Sequence, residues 1–249
     1  MADPIHQFQI QPLIKLGSIG GHEIAFTNSS LYMAAIVIGI WAVLVLGSSR
    51  RALVPGRIQG IAELTYEFVA ETIQSTAGKE GMRFFPLVFT IFMFVLGANL
   101  ISEVPYTFSI TSHIVVTAAL ALLVFFTVLF YGLYRHGLKF FNLFVPKGIP
   151  IYILPMIVFI EVLSFLSRPI SHSVRLFANM LAGHITLSVF ASFITLLGGL
   201  GILGVVGAVV PLFLVVALIA LEWLVAFLQA YVFAILTCIY LNDAIHPGH

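Results

Sequence analysis

Ser167-Arg-Pro-Ile-Ser-His-Ser-Val-Arg-Leu-Phe-Ala-Asn-Met-Leu-Ala-Gly-His184 lies inside the longest apolar region of the chain, yet it carries two arginines, two histidines and an asparagine. The surrounding residues 149–197 read as one helical segment. At 1.5 Å per residue such a segment runs roughly 73 Å, against a hydrocarbon core of about 30 Å. It must therefore tilt strongly, or kink near Pro155 or Pro169. An arginine inside hydrocarbon costs about 2.5–3.5 kcal/mol on insertion scales. It cannot shed its proton to escape that cost. Arg175 is thus a fixed cation at membrane depth, and the rest of the chain reads as its housing.

Working outward, residues 198–207 are glycine-rich and predict a turn, and residues 208–241 form a last long helix. Gly199-Leu-Gly-Ile-Leu-Gly204 has the spacing of a dinucleotide loop. That motif needs a preceding strand and a βαβ unit. Both flanks here are membrane helices, so no nucleotide site is expected. Toward the N-terminus, 113–134, 84–101 and 30–49 are apolar spans of crossing length. Residues 57–77 differ: Ile58, Ile61, Leu64 and Phe68 share one face while Glu63, Glu67 and Glu71 line another. This periodicity predicts an amphipathic helix on the membrane surface or against a partner. Residues 1–29 read as a loosely structured or interfacial arm, with Asn28 or Ser29 capping the first span. Asn28-Ser29-Ser30 also has glycosylation spacing and is read as a cap.

Composition agrees. The 249 residues are 61% hydrophobic and 8% charged, which excludes a soluble domain. The expected fold is an all-α polytopic membrane protein in one membrane domain, 1–249. It has five crossing helices, one amphipathic surface helix and a long tilted C-terminal helical hairpin. The single cysteine, Cys238, excludes an internal disulfide and reads as a small core residue. No cleavable signal peptide precedes the first span. Arg50, Arg51, Arg57, Lys79, Arg83, Arg135, Lys139 and Lys147 fall in connections on one side, and only Lys15 falls opposite. The positive-inside rule then places the N-terminus outside and the C-terminus in the cytoplasm.

At 100° per residue, Glu161, His172, Arg175 and Asn179 fall within about 40° of Arg168, and Ser164 and Ser171 widen the stripe. His184 lies on a different face. On the last helix, Glu222, Gln229 and Tyr240 share a face, with Asp243 nearby. Antiparallel pairing sets Glu161 level with Asp243, Arg175 with Gln229, and His184 with Glu222. Two sets of protonatable groups then open toward opposite sides, with a permanent cation between them. Such a path serves only if a moving carboxylate carries the proton around Arg175, deprotonated as it passes because the cation lowers its pKa.

These motifs resemble the subunit a family of F-type ATP synthases, the stator of a membrane motor. The resemblance covers nearly the whole chain. It rests on Gly21-His-Glu-Ile-Ala-Phe-Thr-Asn-Ser-Ser30, on Arg168 through His184, and on Glu222 with Gln229-Ala-Tyr-Val-Phe-Ala-Ile-Leu. It implies that Arg175 faces a c-subunit ring, that Glu222 and His184 form the outer half-channel, and that Glu161 belongs to the inner one; register and helix face add Asp243, Ser171 and His172 to the cytoplasmic side. Asn179, Gln229, Tyr240 and Arg168 take supporting places. Many bacterial members exchange the acid and the histidine of the outer pair; the arrangement here is similar to mitochondrial and alphaproteobacterial members. Expected partners are the c-ring, peripheral-stalk b subunits, other ATP synthase subunits and lipid, with no nucleic acid and no cofactor. The expected location is a bacterial inner membrane, or alternatively a mitochondrial one. No metal is required, although His184 and Glu222 suit an inhibitory zinc ion.

Other readings stay open. His172 reads equally as a hydrogen-bonded core residue, Asn179 as a bridge between helices, and Arg168 as a contact to lipid headgroups. A proton-coupled secondary transporter also holds midplane charges, but the halves of the chain show no internal repeat. A haem carrier would need His172 and His184 as ligands, and they lie on different helix faces.

Overall fold

The computed structural model describes residues 9–19, 22–49, 55–104, 107–145, 150 and 152–246. The sequence readings at residues 1–8, Gly21, Arg50, Arg51, Pro105, Pro146, Lys147 and Gly148 lie outside them. Helices dominate: α1 Asn28–Ser49, α2 Arg57–Gly81, α3 Phe85–Ser102, α4 Ile114–His136, α5 Leu154–Gly198 and α6 Ile202–Ile245. Among the described residues, five helical stretches are long and apolar enough to cross a membrane. Their surfaces carry large exposed apolar side chains such as Trp41, Phe159, Val210 and Phe213. Water would penalise those surfaces at about 25 cal/mol per Å², so hydrocarbon is their natural solvent. The chain is an all-α polytopic membrane protein.

Four local expectations are corrected. The arm before α1 holds an antiparallel hairpin, β1 Pro12–Ile19 with β2 His22–Thr27, and two register irregularities. Second, Thr27, not Asn28 or Ser29, supplies the capping bond of α1: its Oγ1 accepts the Ser30 N–H at 3.4 Å. The Asn28 carboxamide instead ties the arm down. Its Oδ1 accepts the Gln11 N–H at 3.1 Å, and its Nδ2 donates to the Gln9 carbonyl at 3.1 Å. Third, the glycine-rich turn is shorter than expected. It ends at Gly201, whose φ of 82° is the left-handed conformation glycine tolerates, and α6 begins at Ile202. Fourth, α5 starts at Leu154 and continues as one helix through Pro169. Pro169 has no N–H, so the helix lacks one internal hydrogen bond there.

The chain forms two compact units. The first comprises Met1–Trp41, Phe94–His113 and Leu176–Ala230; the second comprises Ala42–Met93, Ile114–Arg175 and Tyr231–His249. In the first, Gly97 on α3 lets Ile36 of α1 approach: a Cβ at Gly97 would stand 3.1 Å from Ile36 Cγ2. Buried Asn99 donates to the Ala226 carbonyl at 3.2 Å, tying α3 to α6. The connection after α3 is pinned by Ser109 and Ser112 at 2.6 Å and by His113 stacked on Phe108 at 4.9 Å. Burial depresses the His113 imidazole pKa, which favours its neutral form.

In the second unit, the buried face of α4 runs through Thr117, Ala121, Val124, Val128 and Gly132. This four-to-three-residue spacing is one helical stripe. Thr117 meets Ser173 of α5 at 3.2 Å, and Phe125 meets Phe165 at 5.1 Å. Phe68 of α2 packs on Phe92 and Tyr231 at 5.6 and 5.4 Å, so α2 buries its apolar face against α3 and α6. Glu80 pairs with Arg135 at 2.7 Å, but both side chains are largely exposed. Such a solvent-screened pair adds little to stability.

Candidate functional site

The polar stripe of α5 falls into two different environments. In the second unit, Arg168 Nη1 donates to Asp243 Oδ2 at 2.7 Å. Its guanidinium lies over Phe165 at 5.4 Å and Tyr240 at 4.9 Å. One arginine is therefore neutralised by α6 and held flat by two rings. The antiparallel register predicted Asp243 level with Glu161; Asp243 instead meets Arg168, about two helical turns further along α5. Glu161 is half-buried and forms no hydrogen bond or ion pair among the described residues.

Beside this pair, His172 is 3% exposed. Its ring stands 3.7 Å from Phe233 and 5.9 Å from Tyr240, and Nε2 has no hydrogen-bond partner. Ser171 is exposed. Arg175 lies less than one turn past His172 but on the exposed side of the helix. Among the described residues it has neither an ion-pair nor a hydrogen-bond partner. Two arginines on one helix face thus differ in kind: one has its counter-charge within the chain and the other has none among the described residues.

The first unit holds the remaining candidates. A cavity of about 650 Å³ is lined by His184 and Ser188 of α5, by Glu103 and Thr107 of the connection after α3, and by Gln9, Gln11 and Asn28. A second cavity of about 170 Å³ is lined by Asn179, Gly183, Glu222 and again Glu103. Asn179 Nδ2 and Glu222 Oε2 are buried without hydrogen-bond partners. Gly183 makes the room: a Cβ there would stand 2.5 Å from Glu222 Oε1. The sequence sets His184 and Glu222 together. In the structure they line separate cavities, and Glu103 lines both. Burial raises the Glu103 carboxyl pKa above its usual range, while the neighbouring Glu222 carboxyl acts in the opposite sense. Gln229 is half-buried in this unit.

A family model described as ATP synthase A chain matches residues 29–242. The chain belongs to the ATP synthase A chain family. Among similar proteins are ATP synthase subunit a of Nitrobacter winogradskyi, 71% identical over 249 residues and covering all of both chains. The Nitrobacter hamburgensis protein of that name has the same identity and coverage. That of Rhodopseudomonas palustris is 70% identical over 248 residues, covering 100% of this chain and 99% of its own.

For a member of the ATP synthase A chain family, the structure adds Glu103 and Gly183 to the candidates named from sequence. Glu103 escaped because it sits in a connection, outside any helical period. Its partner Glu222 is far away along the chain. Its signal was an acidic residue in a connection without lysine or arginine. Gly183 is adjacent to His184 and carries no signal beyond being glycine in a helix.

Proposed function

We propose that this chain is the proton-translocating stator subunit of an F-type ATP synthase. It provides two offset half-paths for protons, separated by Arg175, which meets the carboxylates of a rotating c-subunit ring. The observation that carries this reading is Arg175 itself: an exposed, permanently charged side chain on a membrane helix, with no counter-charge among the described residues. A cation at that depth calls for an anion from elsewhere. A carboxylate on a moving neighbour supplies one transiently. As it passes, the guanidinium lowers its pKa and favours release of the proton. Between passes, the same charge repels any proton hopping directly from one half-path to the other.

Entry from outside runs through His184, Glu103 and Glu222, with Asn179 beside them. This is supported by the shared lining of the two cavities. Exit to the cytoplasm runs by Glu161, with Ser171 and His172 nearby. Asp243 is better read as the counter-charge of Arg168 than as a proton carrier, because its Oδ2 is already engaged by the Arg168 guanidinium at 2.7 Å. Arg168, Tyr240 and Gln229 support the path. The chain has no nucleotide chemistry of its own; that belongs to other subunits of the complex. Peripheral-stalk b subunits and lipid are its remaining neighbours. The bacterial relatives and the distribution of lysine and arginine favour a bacterial inner membrane, with the N-terminus outside and the C-terminus in the cytoplasm.

Gentle detergent extraction of the native membrane tests the partnership. The chain should copurify with a ring of small helical hairpins, each carrying one carboxylate at membrane depth. A pure, stable preparation of this chain alone that takes up a solute on a proton gradient would favour a secondary transporter instead.

A further inference from the structure

We propose that the N-terminal carboxamides of Gln9, Gln11 and Asn28 wall the outer entry to Glu103, and that Asn28 is the residue that positions them. The inference rests on the reading of the Glu103 cavity as the outer proton path. It starts from a stretch the motor mechanism leaves unused, Phe26-Thr-Asn-Ser-Ser30 and the residues it binds.

Three carboxamides from this segment, Gln9, Gln11 and Asn28, line the same 650 Å³ cavity as Glu103 and His184. The β1–β2 ladder ends at Pro12 and Thr27, and beyond it the Asn28 side chain fastens Gln9 and Gln11. Asn28 Oδ1 accepts the Gln11 N–H at 3.1 Å and the Ser29 N–H at 2.9 Å, while Nδ2 donates to the Gln9 carbonyl at 3.1 Å. One backbone bond, Asn28 N–H to the Gln11 carbonyl at 3.1 Å, completes the clasp. An asparagine is suited to this post, since it accepts and donates at once, which no aliphatic or hydroxyl side chain does with the same reach.

The chemistry of the wall fits its place. Amides and the hydroxyls of Ser102, Thr107 and Ser188 bind water and hydrated protons without trapping them. The described lining includes no lysine or arginine, so no fixed positive charge opposes a proton approaching Glu103. Carboxamides held in the cavity wall by hydrogen bonds set the size of what reaches the carboxylate. Access is thus a property of the clasp as well as of the helices.

The test uses the complete complex in membrane vesicles, in a Cys238→Ser background with Thr107→Cys or Ser188→Cys as reporter. Both positions line the cavity, and the readout is the labelling rate alone. Two membrane-impermeant cationic thiol reagents, one small and one bulky, are applied from the side that holds the N-terminus. The small reagent should label faster. Asn28→Leu removes every side-chain bond of the clasp and should raise the bulky-reagent rate about tenfold, the factor corresponding to about 1.4 kcal/mol of lost attachment. Asn28→Asp keeps both acceptor bonds and should hold the size ratio near that of the parent.

A size ratio unmoved by Asn28→Leu would overturn the proposal. So would equal behaviour of Asn28→Leu and Asn28→Asp. If Asn28→Leu does not assemble, Asn28→Ala removes the same side-chain bonds, and a size ratio that it leaves unmoved overturns the proposal equally. Proton conduction of a Glu103→Gln complex separates this inference from the reading beneath it. Normal conduction there would remove Glu103 from the proton path, whatever the labelling shows.

Discussion

Arg168 and Arg175 are two turns apart on one helix and have opposite circumstances. The first is about one fifth exposed and paired with Asp243, itself about one quarter exposed. Removing Asp243 alone leaves a half-buried cation unpaired. With solvent screening taken into account, Asp243→Ala should cost about 1–3 kcal/mol. Arg168→Gln with Asp243→Asn should cost less than the sum of the two single changes, because both lose the same bond. Thermal unfolding of the purified complex measures this, and strict additivity would show that the pair contributes nothing. Glu103 gives a pH signature. Burial raises its folded-state pKa above the ordinary 4.5, so the folded chain binds the proton more tightly than the unfolded one. Its stabilising contribution is complete below the ordinary value and is lost as pH rises through the raised one. Glu103→Gln should therefore flatten the decline of thermal stability as pH rises above the ordinary 4.5. A decline of unchanged slope would place its cause in another group.

At the scale of elements, the helices were legible and the joints between them were not. Long apolar segments such as 208–241 announce themselves through length, and α2 through its period. The hairpin β1–β2 did not, because two short strands with register irregularities leave no clean alternation to read. The stripe on α5 was read from helical angle alone. Its division into a buried His172 and an exposed Arg175 depends on what α6 covers, which angles on one helix cannot show. The Arg168–Asp243 pair was missed because equal depth was assumed all along the hairpin. Glu103 was missed because it belongs to no helix. Gly183 is the clearest element-level device: it lets α5 and the Glu222 carboxyl share one space. Gly183→Ala should cost about 1–3 kcal/mol by overpacking or by displacing that carboxyl. ATP-driven proton pumping, measured beside assembly, should fall further than the amount of assembled complex does. Full pumping per assembled complex would show that the notch is not needed.

For the whole molecule, orientation decides which cavity faces which compartment. Val104 and Phe141 are each about half exposed in connections after α3 and α4. In a Cys238→Ser background, Val104→Cys should react with an impermeant thiol reagent from outside, and Phe141→Cys from the cytoplasm. The reverse pattern would exchange the entry and exit paths. The central claim, however, is that Arg175 serves a partner's carboxylate and not the fold. Its most direct test is ATP synthesis driven by an imposed proton gradient in vesicles containing the Arg175→Ala complex, with assembly measured in the same membranes. One charge crossing 100 mV is worth about 2.3 kcal/mol, so a leak past this position dissipates the drive. The account predicts an assembled complex whose gradient-driven synthesis is lost. Near-normal synthesis by an assembled Arg175→Ala complex would contradict it.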